Sequence, residues 1–320
     1  MPFTTFRAPG FGSDKPPAAR NTVCAARKRL LRRLGLGLCC CLSGLMTSAQ
    51  ADEAVMVSAT IKPLQLIAAA ITDGVSVPRL LLQTTRDPHH HALRPSERAA
   101  LDAAQLLVWI GPQMESYLAG TLPELDAAVL TAMDIPGLTR LPLGRAHDPH
   151  IWLDSNNAVL IATALTQQLA SLDPGNARRY QDNLLRFRDA LGLLSAALQT
   201  RLNGRNQAAY GVYHNAFQYF ERQFGLQHVL SFTDNEELAP GIRGLLAIKR
   251  RLQEHQVACL LVEPAVNLDQ LDSILESDSL HYGVVDVLGS DIPLGPEGYG
   301  LLLQHLADVL LRCLGQEEKT

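Results

Sequence analysis

The chain has 320 residues, 47% hydrophobic and 19% charged, a globular composition that excludes disordered and fibrous proteins. Its net charge of −4 hides two opposed parts: residues 1–51 carry eight Lys/Arg against the single acid Asp14 (+7), and the other 269 carry 20 basic and 31 acidic groups (−11). An acidic body of that size argues against a nucleic-acid partner.

The basic end reads as an export signal. The run Ala26-Arg27-Lys28-Arg29-Leu30-Leu31-Arg32-Arg33 precedes the apolar stretch Leu34 to Met46, and Thr47-Ser48-Ala49-Gln50-Ala51 supplies the small residues of a cleavage site. An apolar run this short does not span a bilayer, which takes about 20 residues. Residues 1–51 are therefore expected to be a cleaved signal peptide with an N-terminal extension, and the mature chain to start at Asp52. Of the six cysteines, Cys24, Cys39, Cys40 and Cys41 fall in the removed part. Cys259 and Cys313 remain, a natural pair in an oxidising compartment, with two buried free thiols as the alternative.

In the mature part, Ala54 to Thr60 reads as a buried strand, followed by a helix through Ala70. Val75 to Leu82 reads as a second strand, and Pro95-Ser96-Glu97 opens a helix over 95–105. Leu106 to Ile110 is an uninterrupted apolar run closed by Gly111-Pro112, the pattern of a parallel strand covered on both faces. The spacing then predicts a helix over 156–172, a break at Asp173-Pro174-Gly175, and a helix of about 40 Å over 176–202. Strands are expected at 208–213, 229–232, 258–262 and 284–287, and a closing helix at 301–314. Strands alternating with helices imply βαβ units. The fold expected is α/β: lobes at 52–172 and 204–320, each with a parallel sheet flanked by helices, joined by one long rigid helix at 173–203. Gly295 to Gly300 is glycine-rich and reads as a turn.

All ten histidines lie in the mature part. Three stand on loops at strand or helix ends, where distant segments can converge: His89 in Asp87-Pro88-His89-His90-His91, His150 in Asp148-Pro149-His150, and His214 after Tyr210-Gly211-Val212-Tyr213. Zinc prefers imidazole and thiolate in a four-coordinate shell, and Asp286 at the end of a fourth strand adds a carboxylate. His255 fits an exposed helix face, His305 lies inside the last helix, and His228 and His281 precede strands. His90, His91 and His147 read as loop residues rather than accessory ligands. A zinc hydrolase is the rival chemistry, since three histidines and an open position also describe catalytic zinc. No general base is evident, and no H-E-x-x-H, G-x-S-x-G, P-loop or G-x-G-x-x-G motif occurs.

These segments together resemble the metal-binding family of periplasmic solute-binding proteins, most closely its high-affinity zinc-uptake type. The resemblance runs through Ser58-Ala59-Thr60-Ile61-Lys62-Pro63-Leu64, Pro88-His89-His90-His91-Ala92-Leu93-Arg94-Pro95-Ser96, and Val108-Trp109-Ile110-Gly111-Pro112 with Met114-Glu115. It continues through Asp148-Pro149-His150-Ile151-Trp152-Leu153-Asp154, Tyr213-His214-Asn215-Ala216-Phe217, Val262-Glu263-Pro264 and Val285-Asp286-Val287-Leu288-Gly289. It implies a non-catalytic, monomeric, periplasmic protein that binds one Zn(II) on His89, His150 and His214. It puts Asp286 at the family's carboxylate ligand position, with a water as the competing fourth ligand, and Cys259 and Cys313 where zinc-type members have a disulfide. Delivery to an inner-membrane ABC permease and its ATPase is also implied. Manganese-type relatives resemble this pattern with a carboxylate at the third position, so the imidazole of His214 favours zinc over manganese. Three departures from the family pattern stand out: Pro88 before the first ligand, Ser155 in place of a proline after Asp154, and only residues 141–147 where a long His/Asp-rich loop is common.

Overall fold

A computed structural model describes residues 54–83, 88, 89, 91–205, 208–233, 242–276 and 280–315. The expected signal peptide, the mature start at Asp52, Asp87 and His90 lie outside these residues.

The first half is built on a parallel sheet in the order β2-β1-β3-β4, formed by β1 (Val57–Ala59), β2 (Arg79–Leu80), β3 (Leu106–Trp109) and β4 (Ala128–Thr131). Between β1 and β2 runs α1 (Lys62–Ile71). Nine of its ten residues are buried, as expected of a helix that is apolar all round. Pro63 suits its first turn, where no backbone donor is needed. The one buried amide, Gln65, donates to the Pro78 carbonyl at 2.9 Å. Helix α2 (Pro95–Asp102) leads into β3, and its first turn is closed by Glu97, which accepts the Arg94 N–H at 2.8 Å. A hairpin of β5 (Pro142–Leu143) and β6 (Ala146–His147) precedes α3 (Ser155–Leu172) and α4 (Ala177–Leu202).

The second half carries another parallel sheet, in the order β10-β9-β7-β8. Its strands are β7 (Tyr210–His214), β8 (Leu230–Thr233), β9 (Cys259–Val262) and β10 (His281–Val284). The helices α5 (Gln218–Phe224), α6 (Ile242–Glu254) and α7 (Leu268–Leu275) connect them, and α8 (Gly298–Cys313) closes the chain.

Helix α4 is not the only element that joins the halves. Helix α8 packs on α1 and α4 as well as on β9 and β10, so one continuous core holds residues from both sheets. Gly298 makes this approach possible: a Cβ there would sit 2.7 Å from Leu66 Cδ2 and 2.8 Å from the Pro293 carbonyl oxygen. Asn183 of α4 donates to the carbonyls of Ile71 (2.6 Å) and Asp73 (3.0 Å), satisfying acceptors that the end of α1 leaves open.

Four expectations need correction. The second strand spans two residues rather than 75–82. The last strand covers 281–284 rather than 284–287, so His281 begins it and Asp286 lies beyond it. As an edge strand it needs no unbroken apolar run, and the buried Val285 and Val287 that suggested a strand follow it instead. Gly298 to Gly300 form the first turn of α8 rather than a loop. Strand β4, short and with no breaker before it, was not anticipated.

Cys259 and Cys313 are disulfide-bonded, tying the end of α8 to the start of β9. Closing a loop of this separation restricts the unfolded chain by about 4 kcal/mol in the entropic model. The double Cys259→Ala/Cys313→Ala variant should lose up to about that much stability in urea unfolding, with the native circular dichroism retained.

Glu115 is fully buried where β1 and β3 end. It accepts the Thr60 hydroxyl and the N–H groups of Ile110 and Gly111, both at 3.1 Å. Burial pushes its pKa up to about 7, outweighing the donors that favour the carboxylate. The folded chain therefore holds this proton more tightly than the unfolded one. The resulting stability is fully present below the ordinary carboxyl range and is lost as pH rises through about 7, a change of roughly 3 kcal/mol. Glu115→Gln should flatten the decline between pH 5 and pH 8 in denaturant titrations.

Candidate metal centre

In parallel α/β sheets, ligands gather beyond the carboxyl ends of the strands, and the candidate ligands lie there. His89 follows β2, His150 starts the 3-10 turn Ile151–Leu153 ahead of α3, and His214 is the last residue of β7. All three line one cleft with Asp286, Glu263, Met114 and Trp152. The ring centroids are 4.9 Å apart for His150 and His214, 5.5 Å for His89 and His150, and 6.2 Å for His89 and His214. Three imidazoles bound tetrahedrally to one zinc at Zn–N of about 2.0–2.1 Å have centroids about 5 Å apart. The His150–His214 pair is already at that spacing, and His89 stands somewhat outside it. Among the described residues, no three His, Cys, Asp or Glu side chains form a closed coordination group as they stand.

The position of His150 is heavily determined. Asp148, fully buried, accepts the His150 backbone N–H at 2.9 Å and pairs with its Nδ1 at 2.7 Å. A carboxylate at Nδ1 fixes the tautomer that carries its proton there and leaves Nε2 for a metal. The surrounding segment is held from the second half of the chain. Tyr219 of α5 donates to the Asp148 carbonyl at 2.7 Å, the Trp152 indole donates to the Val287 carbonyl at 3.0 Å, and Tyr299 of α8 donates to the Trp152 carbonyl. Asp154 caps α3 by accepting the Asn156 N–H at 2.7 Å. Ser155 uses the N–H that a proline would lack: it donates to Gln223 Oε1 at 2.8 Å, a further tie to α5.

Asp286 lies in the turn after β10. Its Oδ1 accepts the N–H groups of Leu288 (2.9 Å) and Gly289 (3.0 Å), and its Oδ2 that of Ser290 (2.6 Å). The carboxylate is therefore fixed in orientation at the cleft wall. The remaining histidines have other surroundings. His91 pairs with Glu97 at 2.7 Å and stands edge-on to Tyr117, His147 is exposed on the hairpin, and His228 is bound to the buried Glu221 at 2.9 Å. Two carboxylates beside the candidate ligands went unassigned from sequence: Asp148 at His150, and Glu263 at the end of β9. The Asp-Pro-His triplet and a carboxylate closing an apolar strand were the signals available.

Comparisons with known proteins identify the family. The family model described as zinc-uptake complex component A, periplasmic, matches residues 57–313. The high-affinity zinc uptake system protein ZnuA of Haemophilus ducreyi is 32% identical over 302 residues, covering 85% of this chain and 96% of that protein. Its counterpart from Yersinia pestis is also 32% identical, covering 82% and 92%. Among solved structures, ZnuA superposes with a TM-score of 0.70 at 24% identity, covering 80% of this chain and 98% of that one. The periplasmic zinc-binding protein TroA of Treponema pallidum gives 0.72 at 18% identity, covering 81% and 99%. The fold and the cleft thus define a periplasmic solute-binding protein, a class that binds without catalysing. Within it, this chain belongs to the zinc-uptake component A family, and zinc is its metal.

Removing the Asp148 carboxylate should weaken zinc binding without abolishing it. Asp148→Ala is expected to lower affinity by about 10–100-fold in competition titrations, and Asp148→Asn, which keeps an acceptor oxygen, by less.

Proposed function

We propose that the mature protein, released in the periplasm by cleavage before Asp52, captures one Zn(II) ion on His89, His150 and His214. It then hands the ion to an inner-membrane ABC permease powered by its ATPase. The observation that carries this reading is the convergence of three imidazoles, from segments 61 and 64 residues apart in sequence, within 4.9–6.2 Å of one another. Asp286 is the carboxylate of the set: its backbone bonds fix its direction, and Oδ2, which accepts a single N–H, keeps a lone pair for the ion. Zinc joins His89 to the preset His150–His214 pair by drawing the first ring inward by roughly an ångström, toward the spacing of a tetrahedral site. The high-affinity zinc uptake proteins to which the chain is similar support delivery to a transporter, and the basic, apolar and small-residue order of residues 26–51 supports export.

A third imidazole in place of a carboxylate selects zinc over manganese, whose preference is for oxygen donors. Zinc binds only deprotonated imidazole nitrogen, so binding weakens as the medium is acidified.

His214→Ala should abolish tight one-to-one zinc binding by titration calorimetry, while the thermal transition of the metal-free protein stays close to the parent's. Unchanged affinity would remove His214 from the site and, with it, this reading.

A further inference from the structure

We propose that Glu263 is a positioning residue for His214, holding Nδ1 of the ring so that Nε2 is presented to the metal. The inference rests on the zinc-binding reading above.

Glu263 is the first residue after β9, beside β7 in the sheet, and His214 is the last residue of β7. Adjacent parallel strands that end together put the two side chains at the same level of the cleft wall. Glu263 Oε1 lies 3.4 Å from His214 Nδ1, with the two side chains 21% and 7% exposed. That oxygen is buried and, among the described residues, accepts no hydrogen bond. A buried carboxylate oxygen without a donor is costly, and the nearby N–H of a Nδ1-protonated His214 removes the cost if the pair closes by a few tenths of an ångström.

The other carboxylates at the cleft have different partners. Asp148 pairs with His150 through Oδ1, and both oxygens of Asp286 accept backbone N–H groups. Glu263 is the carboxylate that faces His214, with Oε1 3.4 Å from Nδ1. The arrangement repeats that of Asp148 and His150: each of these imidazoles has a carboxylate at Nδ1, which orients the ring and raises its basicity toward a metal. His150 is then held by the segment at 148–155 and His214 by the ends of β7 and β9, with their ring centroids 4.9 Å apart.

The test compares Glu263→Ala and Glu263→Gln with the parent and with His214→Ala in zinc titrations, alongside the visible spectrum of the Co(II)-substituted proteins. Glu263→Ala is expected to bind zinc about 10–100-fold more weakly. Glu263→Gln, whose amide oxygen still accepts from Nδ1, is expected to recover most of that loss and to keep the parent's Co(II) band positions and intensity. Parent-like affinity in Glu263→Ala would overturn the inference. Equal losses in both variants, with an altered Co(II) spectrum, would also overturn it by making Glu263 a direct ligand. Neither result touches the zinc-binding reading, which fails separately if the parent and His214→Ala bind alike.

Discussion

The structure turns on how the segment from Asp148 to Ser155 is held. It carries His150, and several of its restraints come from the second half of the chain: the Tyr219 and Tyr299 hydroxyls, the Val287 carbonyl and the Gln223 side chain. A backbone stretch at the mouth of a cleft must find partners for its polar groups or leave them to water. Here those partners are side chains of α5 and α8. The consequence is that His150, ahead of α3, is fixed relative to His214, at the end of a strand of the second sheet.

That constraint divides the candidate ligands into a preset pair and a third member that completes the set. His150 and His214 already stand at the spacing of a tetrahedral zinc site, and His89 lies farther out from both. A site organised in this way gains affinity because little ordering remains to be done at binding. The joint core beneath it, in which α8 packs on α1 and the disulfide holds the far end of α8 on β9, resists independent movement of the two sheets.

Much of this was legible in the sequence, and for specific reasons. Leu106 to Ile110 announced a doubly covered parallel strand because no polar residue interrupts it. The leucines of α4 announced a long helix: Leu184, Leu191 and Leu198 are buried, and Leu185 is 53% exposed. The histidines stood out because each sits at the end of a strand pattern or ahead of a helix. The final strand was displaced because an edge strand such as His281-Tyr282-Gly283-Val284 tolerates Gly and His, while the more apolar Val285 and Val287 are buried in the turn that follows. The two carboxylates beside the candidate ligands were visible in their motifs, but their partners were not. Asp148 and Glu263 gain their meaning from which ring nitrogen they face, and a linear spacing does not specify that.

Zinc-edge X-ray absorption on the protein loaded with one equivalent of Zn(II) tests the central claim most directly. The account predicts three imidazole nitrogens at about 2.0–2.1 Å with one oxygen donor, a four-coordinate shell. A shell with two or fewer imidazoles, or one rich in oxygen, would contradict it.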